Sequence, residues 1–156
     1  MDYRRRLLFH GMALFLIGLL TGLVEQHFTN VRMGLAAHLE GVMNGTFLLA
    51  VGAIWSEVRL ASGPRAVAYW ALPCGTYGNW AVTTLAAILG TGALSPVTAP
   101  GRSAPPWQET LVTAGFVTTI NWNAFSGWMT TLPTYIYYQI MNPTSPTNPD
   151  PSLQRA

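Results

Sequence analysis

Four stretches of the chain are apolar over lengths that match a lipid bilayer. They run from Leu7 to Val24, Met33 to Trp55, Ala66 to Ala93 and Thr110 to Met129, and about 20 residues suffice to cross the hydrocarbon. The pattern predicts an all-α integral membrane protein: one four-helix transmembrane bundle occupying residues 1–141. The fourth stretch is the least regular, because Thr118, Thr119, Asn121 and Asn123 interrupt it. Past Pro133 it leads into Tyr135, Tyr137 and Tyr138, aromatic residues suited to a membrane–water interface. The connection from Leu94 to Gln108 is rich in Pro, Ser and Gly and is expected to be a surface loop. From Asn142 onward the chain reads NPTSPTNPDPSLQRA, a Pro-rich polar tail (142–156) expected to be disordered.

The polar exceptions inside these stretches carry the chemistry. The second stretch holds His38, Glu40 and Asn44. A charged group at the centre of a membrane helix costs roughly 2.5–3.5 kcal/mol on insertion scales. At about 100° per residue, Gly34, Gly41, Gly45 and Gly52 fall within roughly 40° of one another and form a valley without side chains. His38 stands on one shoulder and Asn44 on the other, roughly 120° apart by the same rotation. Such a valley admits either another helix, packed backbone to backbone, or a flat ligand. An imidazole on its shoulder is suited to bind a haem iron or to hydrogen-bond across a helix interface. In the third stretch, Gly75, Asn79, Thr83, Ala86 and Gly90 share one face, with Tyr77 nearly opposite. Asn79 can hold a polar substrate group or pair with another amide such as Asn44. Glu40 has several open partners, an arginine, His10 or His27, or a role as proton carrier. His10 is expected to make a structural hydrogen bond, and His27 to be solvated.

Composition narrows the class. Half of the 156 residues are hydrophobic and 9% are charged, against about 25% charged in soluble domains. All eight cations are arginines. Arg4, Arg5, Arg6, Arg59, Arg65 and Arg155 fall on one side of the predicted bundle, Arg32 and Arg102 on the other. The positive-inside rule then puts both termini in the cytoplasm. A net charge of +2 without an Arg–aromatic stripe gives no basis for nucleic-acid binding. The single Cys74 excludes an internal disulfide. There is no Gly-rich phosphate loop, nucleophile elbow or metalloprotease histidine pair. Four helices this short bury little alone, so a homo-oligomer is expected.

Certain motifs resemble a known group. His10-Gly11, MGLAAHLEGVMNGTF (Met33 to Phe47), GTYGNW (Gly75 to Trp80) and PWQE (Pro106 to Glu109) are similar to the hydroxylaminobenzene mutases, small bacterial membrane enzymes of nitroarene degradation. The Asn/Trp-rich segment beyond Phe116 departs from that pattern. A more distant resemblance is to the styrene oxide isomerases, which share an early His-Gly, a second-helix His with an Asn six positions later, and a third-helix Asn. Here those are His10-Gly11, His38 with Asn44, and Asn79.

The resemblance implies a bacterial inner-membrane isomerase, working as a trimer on a small aromatic substrate. It implies haem b with His38 as axial ligand, Gly34, Gly41 and Gly45 beside the cofactor, and Asn44, Asn79 and Thr83 about the substrate. The implied reaction converts an arylhydroxylamine to a 2-aminophenol, with ferric iron acting as Lewis acid on the hydroxyl oxygen. Thr83 stands where the epoxide isomerases carry a tyrosine, which makes epoxide isomerisation the lesser alternative. A non-catalytic oligomeric membrane module, using the glycine valleys only for packing, is the alternative from another class.

Overall fold

The computed structural model describes residues 2–58, 62–93, 99, 101 and 103–119. Its helices are α1 (Tyr3–Val24), α2 (Val31–Ile54), α3 (Ser62–Leu89) and α4, helical over 106–119. Short 3₁₀ turns, Glu25–His27 and Trp55–Glu57, follow α1 and α2. The remainder of the fourth predicted span, the tyrosine cluster and the Pro-rich tail lie outside the described residues, as do Arg59, Arg102 and Arg155.

Local chemistry sets boundaries that an apolar run misses. Helix α1 begins at Tyr3 rather than Leu7 because Asp2 caps it, accepting from the Arg4 N–H at 3.4 Å. The charged first turn is therefore helical although it is not apolar. Helix α2 starts at Val31 because the Asn30 side chain accepts from the Met33 N–H at 3.2 Å. The Asn30 N–H in turn donates to the Ala87 carbonyl at 2.9 Å, tying the start of α2 to the end of α3. Helix α3 stops at Leu89 rather than Ala93 because Gly90 takes φ +71° and returns its N–H to the Ala86 carbonyl at 2.9 Å. Pro73 sits inside α3 and cannot donate to the preceding turn. Three residues on, the Thr76 hydroxyl donates to the carbonyls of Leu72 (2.9 Å) and Pro73 (3.2 Å). Helix α4 opens on Pro105-Pro106, where a missing N–H costs nothing.

Helix α1 packs most extensively against α2, and α3 closes onto the pair. The buried side of α1 is Leu7, Gly11, Leu14, Gly18 and Thr21. Alternating steps of four and three keep these residues on one stripe. Helix α2 turns Gly34, Ala37, Gly41, Gly45, Leu48 and Gly52 toward the interior. On the outward sides, Phe9, Met12, Leu16, Leu20 and Leu23 of α1 and Leu35, Leu39, Met43 and Phe47 of α2 are exposed. Exposed apolar faces of this extent signal lipid or a protein partner. Both helices, with their following turns, are long and apolar enough to cross a membrane, at mean hydropathies of 2.2 and 1.2.

Two apolar clusters sit at opposite ends. Leu7, Leu14, Leu48, Trp55, Val58, Ala68, Tyr69 and Leu72 pack together near the start of α1. Met33, Ala86, Ala87 and Val112 pack near the α1–α2 turn. The polar residues singled out above lie between them.

Candidate functional site

The glycine valley of α2 is the seat of α1. A Cβ added at Gly41 would lie 2.5 Å from Gly18 Cα, and one at Gly18 would lie 2.5 Å from the Val42 nitrogen. Gly45 meets the Phe15 backbone, and Gly52 meets Leu7 and Leu8. Gly34 lies against Phe28 and Glu25 of the turn. Of the two occupants such a valley admits, a helix or a flat ligand, α1 takes the backbones of Gly41 and Gly45. This corrects the expectation that a cofactor lies directly on them: α1 already fills the space.

His38 rests on the edge of that seat. Its Nδ1 lies 2.8 Å from the Gly18 carbonyl oxygen. A carbonyl only accepts, so Nδ1 carries the proton and donates. Nε2 then keeps its lone pair and has no hydrogen-bond partner among the described residues. The ring lies flat on α1 because Gly22 has no side chain: a Cβ there would come within 2.5 Å of Nδ1. A fixed ring that donates through one nitrogen and offers the other is the arrangement a metal-ligating histidine needs. No cluster of three His, Cys, Asp or Glu forms among the described residues, so an ion on His38 would arrive with its own ligands, as haem iron does. The donor set fits that group.

The other polar side chains gather on the opposite flank, between α2 and α3. These helices run antiparallel, with Asn30 bonded to Ala87, Met33 packed with Ala86, and Gly41 beside Trp80. In that register Glu40 meets Thr83, and Asn44 is placed opposite Asn79. Each helix contributes a pair four residues apart, which lies on one face. The Thr83 hydroxyl is within interaction range of the Glu40 carboxyl, and Thr83 is only 2% exposed. Neither Glu40 Oε2 nor Thr83 Oγ1 reaches a partner at full hydrogen-bond geometry. Leaving one such buried group unpaired costs about 1–3 kcal/mol. Asn44 and Asn79 are half-buried, and their amides make no hydrogen bond among the described residues. This layer unites all three expected substrate-side residues and adds Glu40.

His38 and the layer lie on opposite sides of the α1 seat, so α1 separates His38 from Asn44 within one chain. Of the open partners for Glu40, neither His10 nor His27 is the one it meets. His10 lends its carbonyl to the Tyr77 hydroxyl at 3.2 Å and meets the Tyr77 ring edge-on. Tyr77 thereby braces α1, on the side of α3 away from the layer. His27 is exposed in the turn. Trp80 joins the three helices: its Nε1–H donates to Thr21 Oγ1 at 3.2 Å, and its ring abuts Gly41.

A second carboxylate has a different task. Glu109 accepts the N–H groups of Ala104 (3.0 Å), Gly92 (3.0 Å) and Ala93 (3.1 Å). The Ala104 and Gly92 bonds, followed by that from Ala93, hold its carboxyl below the usual carboxylate range against a smaller opposing effect of burial. The PWQE motif therefore starts α4 and staples the α3–α4 connection.

Sequence patterning alone missed three parts of the site. Gly18 and Gly22 were detectable as glycines four apart on α1, but only contact with α2 pairs them with His38. Glu40 was assigned no partner because its neighbour is set by the register of α3.

Comparison with known proteins bears on the whole arrangement. Residues 3–135 match the styrene oxide isomerase family, past the Phe116 boundary at which the quoted motifs stop. Hydroxylaminobenzene mutase HabB of Ectopseudomonas oleovorans is 47% identical over 109 residues, covering 69% of this chain and 66% of HabB. Hydroxylaminobenzene mutase HabA of the same organism is 41% identical over 104 residues, covering 66% of this chain and 77% of HabA. The chain thus spans just under two thirds of HabB and about three quarters of HabA. No solved structure matches. With helices, glycine seat and polar layer all inside the matched range, the chain belongs to the styrene oxide isomerase family.

Proposed function

We propose that the protein is a membrane-embedded isomerase that rearranges an arylhydroxylamine into a 2-aminophenol. Family membership supports isomerase chemistry, and two relatives bearing the name hydroxylaminobenzene mutase support the substrate class. The observation that carries the mechanism is His38, clamped through Nδ1 on the Gly18 carbonyl with Nε2 free. His38 would hold haem b through Nε2. When bound, its ferric iron supplies a Lewis acid for the oxygen of the N–O bond. Asn44 and Asn79 offer amide donors and acceptors to the NH–OH group, and Thr83 lines the layer beneath them. Its hydroxyl is buried against Glu40 and cannot protrude as a tyrosine phenol would, which favours the hydroxylamine over an epoxide. The apolar helix faces keep water from the reactive, electron-poor ring.

The exposed stripes of α1 and α2 suit a bilayer, with both termini on the cytoplasmic side of the bacterial inner membrane as the arginine distribution favours. Because α1 separates His38 from Asn44, the two flanks meet only when a second copy sets its His38 flank against the layer. We therefore take the active form to be a homo-oligomer, three chains in the arrangement the family resemblance implies.

The test is an absorption spectrum of detergent-purified protein from haem-supplemented cells, before and after adding N-phenylhydroxylamine, with product followed by chromatography. A Soret band that shifts with substrate, and the loss of both band and turnover in His38→Ala, are expected. Turnover that persists in a haem-free His38→Ala protein would refute the iron-assisted mechanism. Absence of 2-aminophenol from the wild type would refute the substrate assignment.

A further inference from the structure

Converting an arylhydroxylamine to a 2-aminophenol takes more than moving oxygen. The N–O bond breaks and a C2–O bond forms, but a C2–H bond must also break and an N–H bond form. Once oxygen sits on C2, the ring is a cyclohexadienimine. Restoring aromaticity requires a base for the C2 proton and an acid for the nitrogen. A Lewis acid on oxygen does neither.

Five buried side-chain atoms lack a hydrogen-bond partner among the described residues, on Glu25, Glu40, Trp55, Arg65 and Thr83. Of these, Glu40 and Thr83 belong to one site: they meet across α2 and α3, beside the free amides of Asn44 and Asn79. Thr83 is only 2% exposed, yet its hydroxyl remains unpaired. No Lys, Arg or His hydrogen bond or ion pair satisfies the Glu40 carboxyl among the described residues. A membrane helix that carries such a carboxyl toward two unpaired amides has a proton-transfer group where a substrate's NH–OH would bind.

We infer that Glu40 is the catalytic residue that carries the ring proton, and that Thr83 positions its carboxyl; this rests on the arylhydroxylamine assignment above. Glu40 takes the proton from C2, and the C–H electron pair restores the aromatic ring while the C=N pair moves to nitrogen. The same carboxyl then returns that proton to nitrogen, giving the amine and regenerating itself. Substrate and product are isomers, so no oxidant, reductant or outside proton is consumed.

The test uses full-length protein in detergent, with N-phenylhydroxylamine bearing hydrogen or deuterium at both ortho positions. Glu40→Gln keeps the shape of the side chain and removes its capacity to carry a proton. Turnover should fall about 10²–10⁴-fold, the usual range for a lost acid–base group. The residual rate should show a primary isotope effect larger than that of the wild type, because C2–H cleavage becomes limiting. Thr83→Val should lose about tenfold and show the same isotope effect more weakly. The His38-dependent Soret band, unchanged in both variants, controls for folding. Should Glu40→Gln not accumulate, the Thr83→Val isotope effect decides. Wild-type turnover in Glu40→Gln, or a loss in either variant with no change in isotope effect, would overturn the role of Glu40 and leave the arylhydroxylamine assignment standing. A wild type that forms no 2-aminophenol overturns both.

Discussion

The two ends of the bundle solve the same packing problem with opposite residues. Near the start of α1, bulk does the work. Tyr69 is 1% exposed, stacks on Tyr3 at 4.5 Å and meets Trp55 edge-on at 6.5 Å, with Leu7, Leu14, Leu48 and Leu72 around them. From Gly41 toward the α1–α2 turn, the absence of bulk does it. Gly18 lies on Gly41, Gly22 accommodates His38, and small alanines fill the α3 side. Large side chains hold helices apart and fill the gap with apolar volume. Glycines bring backbones close enough for a carbonyl to reach a side chain on the neighbouring helix, and that closeness lets Gly18 orient His38. One end is therefore tuned for cohesion, and the other for placing polar atoms.

Substitutions on each side should separate these tasks. The largest effect is expected at the glycine crossing. Gly41→Ala puts a methyl group on the backbone of α1, where no rotamer change can relieve it, and should cost about 3 kcal/mol, the upper end of overpacking. As α1 shifts, the Gly18 carbonyl leaves His38, so haem occupancy should fall in the molecules that remain folded. Denaturant titration in detergent, with the Soret-to-protein ratio read in parallel, checks both. At the other end, Leu48→Ala should cost about 2 kcal/mol. That is the low end for a buried leucine, because hydrocarbon around the protein softens the transfer part and leaves mainly the cavity. Activity per folded molecule should be unchanged. A loss of specific activity in Leu48→Ala matching that in Gly41→Ala would erase the distinction between the ends.

A smaller effect probes the brace between them. Tyr77→Phe removes the hydrogen bond to the His10 carbonyl but keeps the ring contact with His10. The expected loss is about 1 kcal/mol in unfolding, with the spectrum of bound haem unaltered, since Tyr77 faces away from both flanks of the site.

Legibility from sequence followed the same division. The apolar runs located the helices of the described region to within a few residues, because hydrophobicity marks the span. They missed the ends, because Asp2, Asn30 and Gly90 act through single backbone hydrogen bonds that an apolar average does not register. Rotation about the α2 axis correctly placed His38 and Asn44 on two shoulders of one valley. It could not say what fills the valley, since a glycine face suits a helix and a flat ligand equally. That choice depends on contacts between Gly11 and Gly18 on one helix and Gly41 and Gly45 on the other, which are far apart in sequence. Glu40 is the clearest case. On α2 alone it has no partner, and only the antiparallel register of α3 brings Thr83 to it.

The smallest effect lies at the periphery, where Glu109 holds three backbone N–H groups of the α3–α4 connection. Those donors stabilise the carboxylate, so its folded pKa lies below the unfolded value, ordinarily about 4.3 for glutamate. A lowered pKa contributes stability that is present above the unfolded value and lost as pH falls through the folded one. Glu109→Gln keeps the shape but removes the charge from these bonds. At neutral pH, hydrogen exchange at the Gly92, Ala93 and Ala104 amides should be faster in the variant than in the wild type. Below about pH 4 the two should converge, because protonation makes the wild-type side chain neutral as well. Glu109 is exposed, so solvent screening keeps the effect local, and global unfolding should move little. A difference in exchange that persists unchanged into acid would mean that the staple works through shape rather than charge.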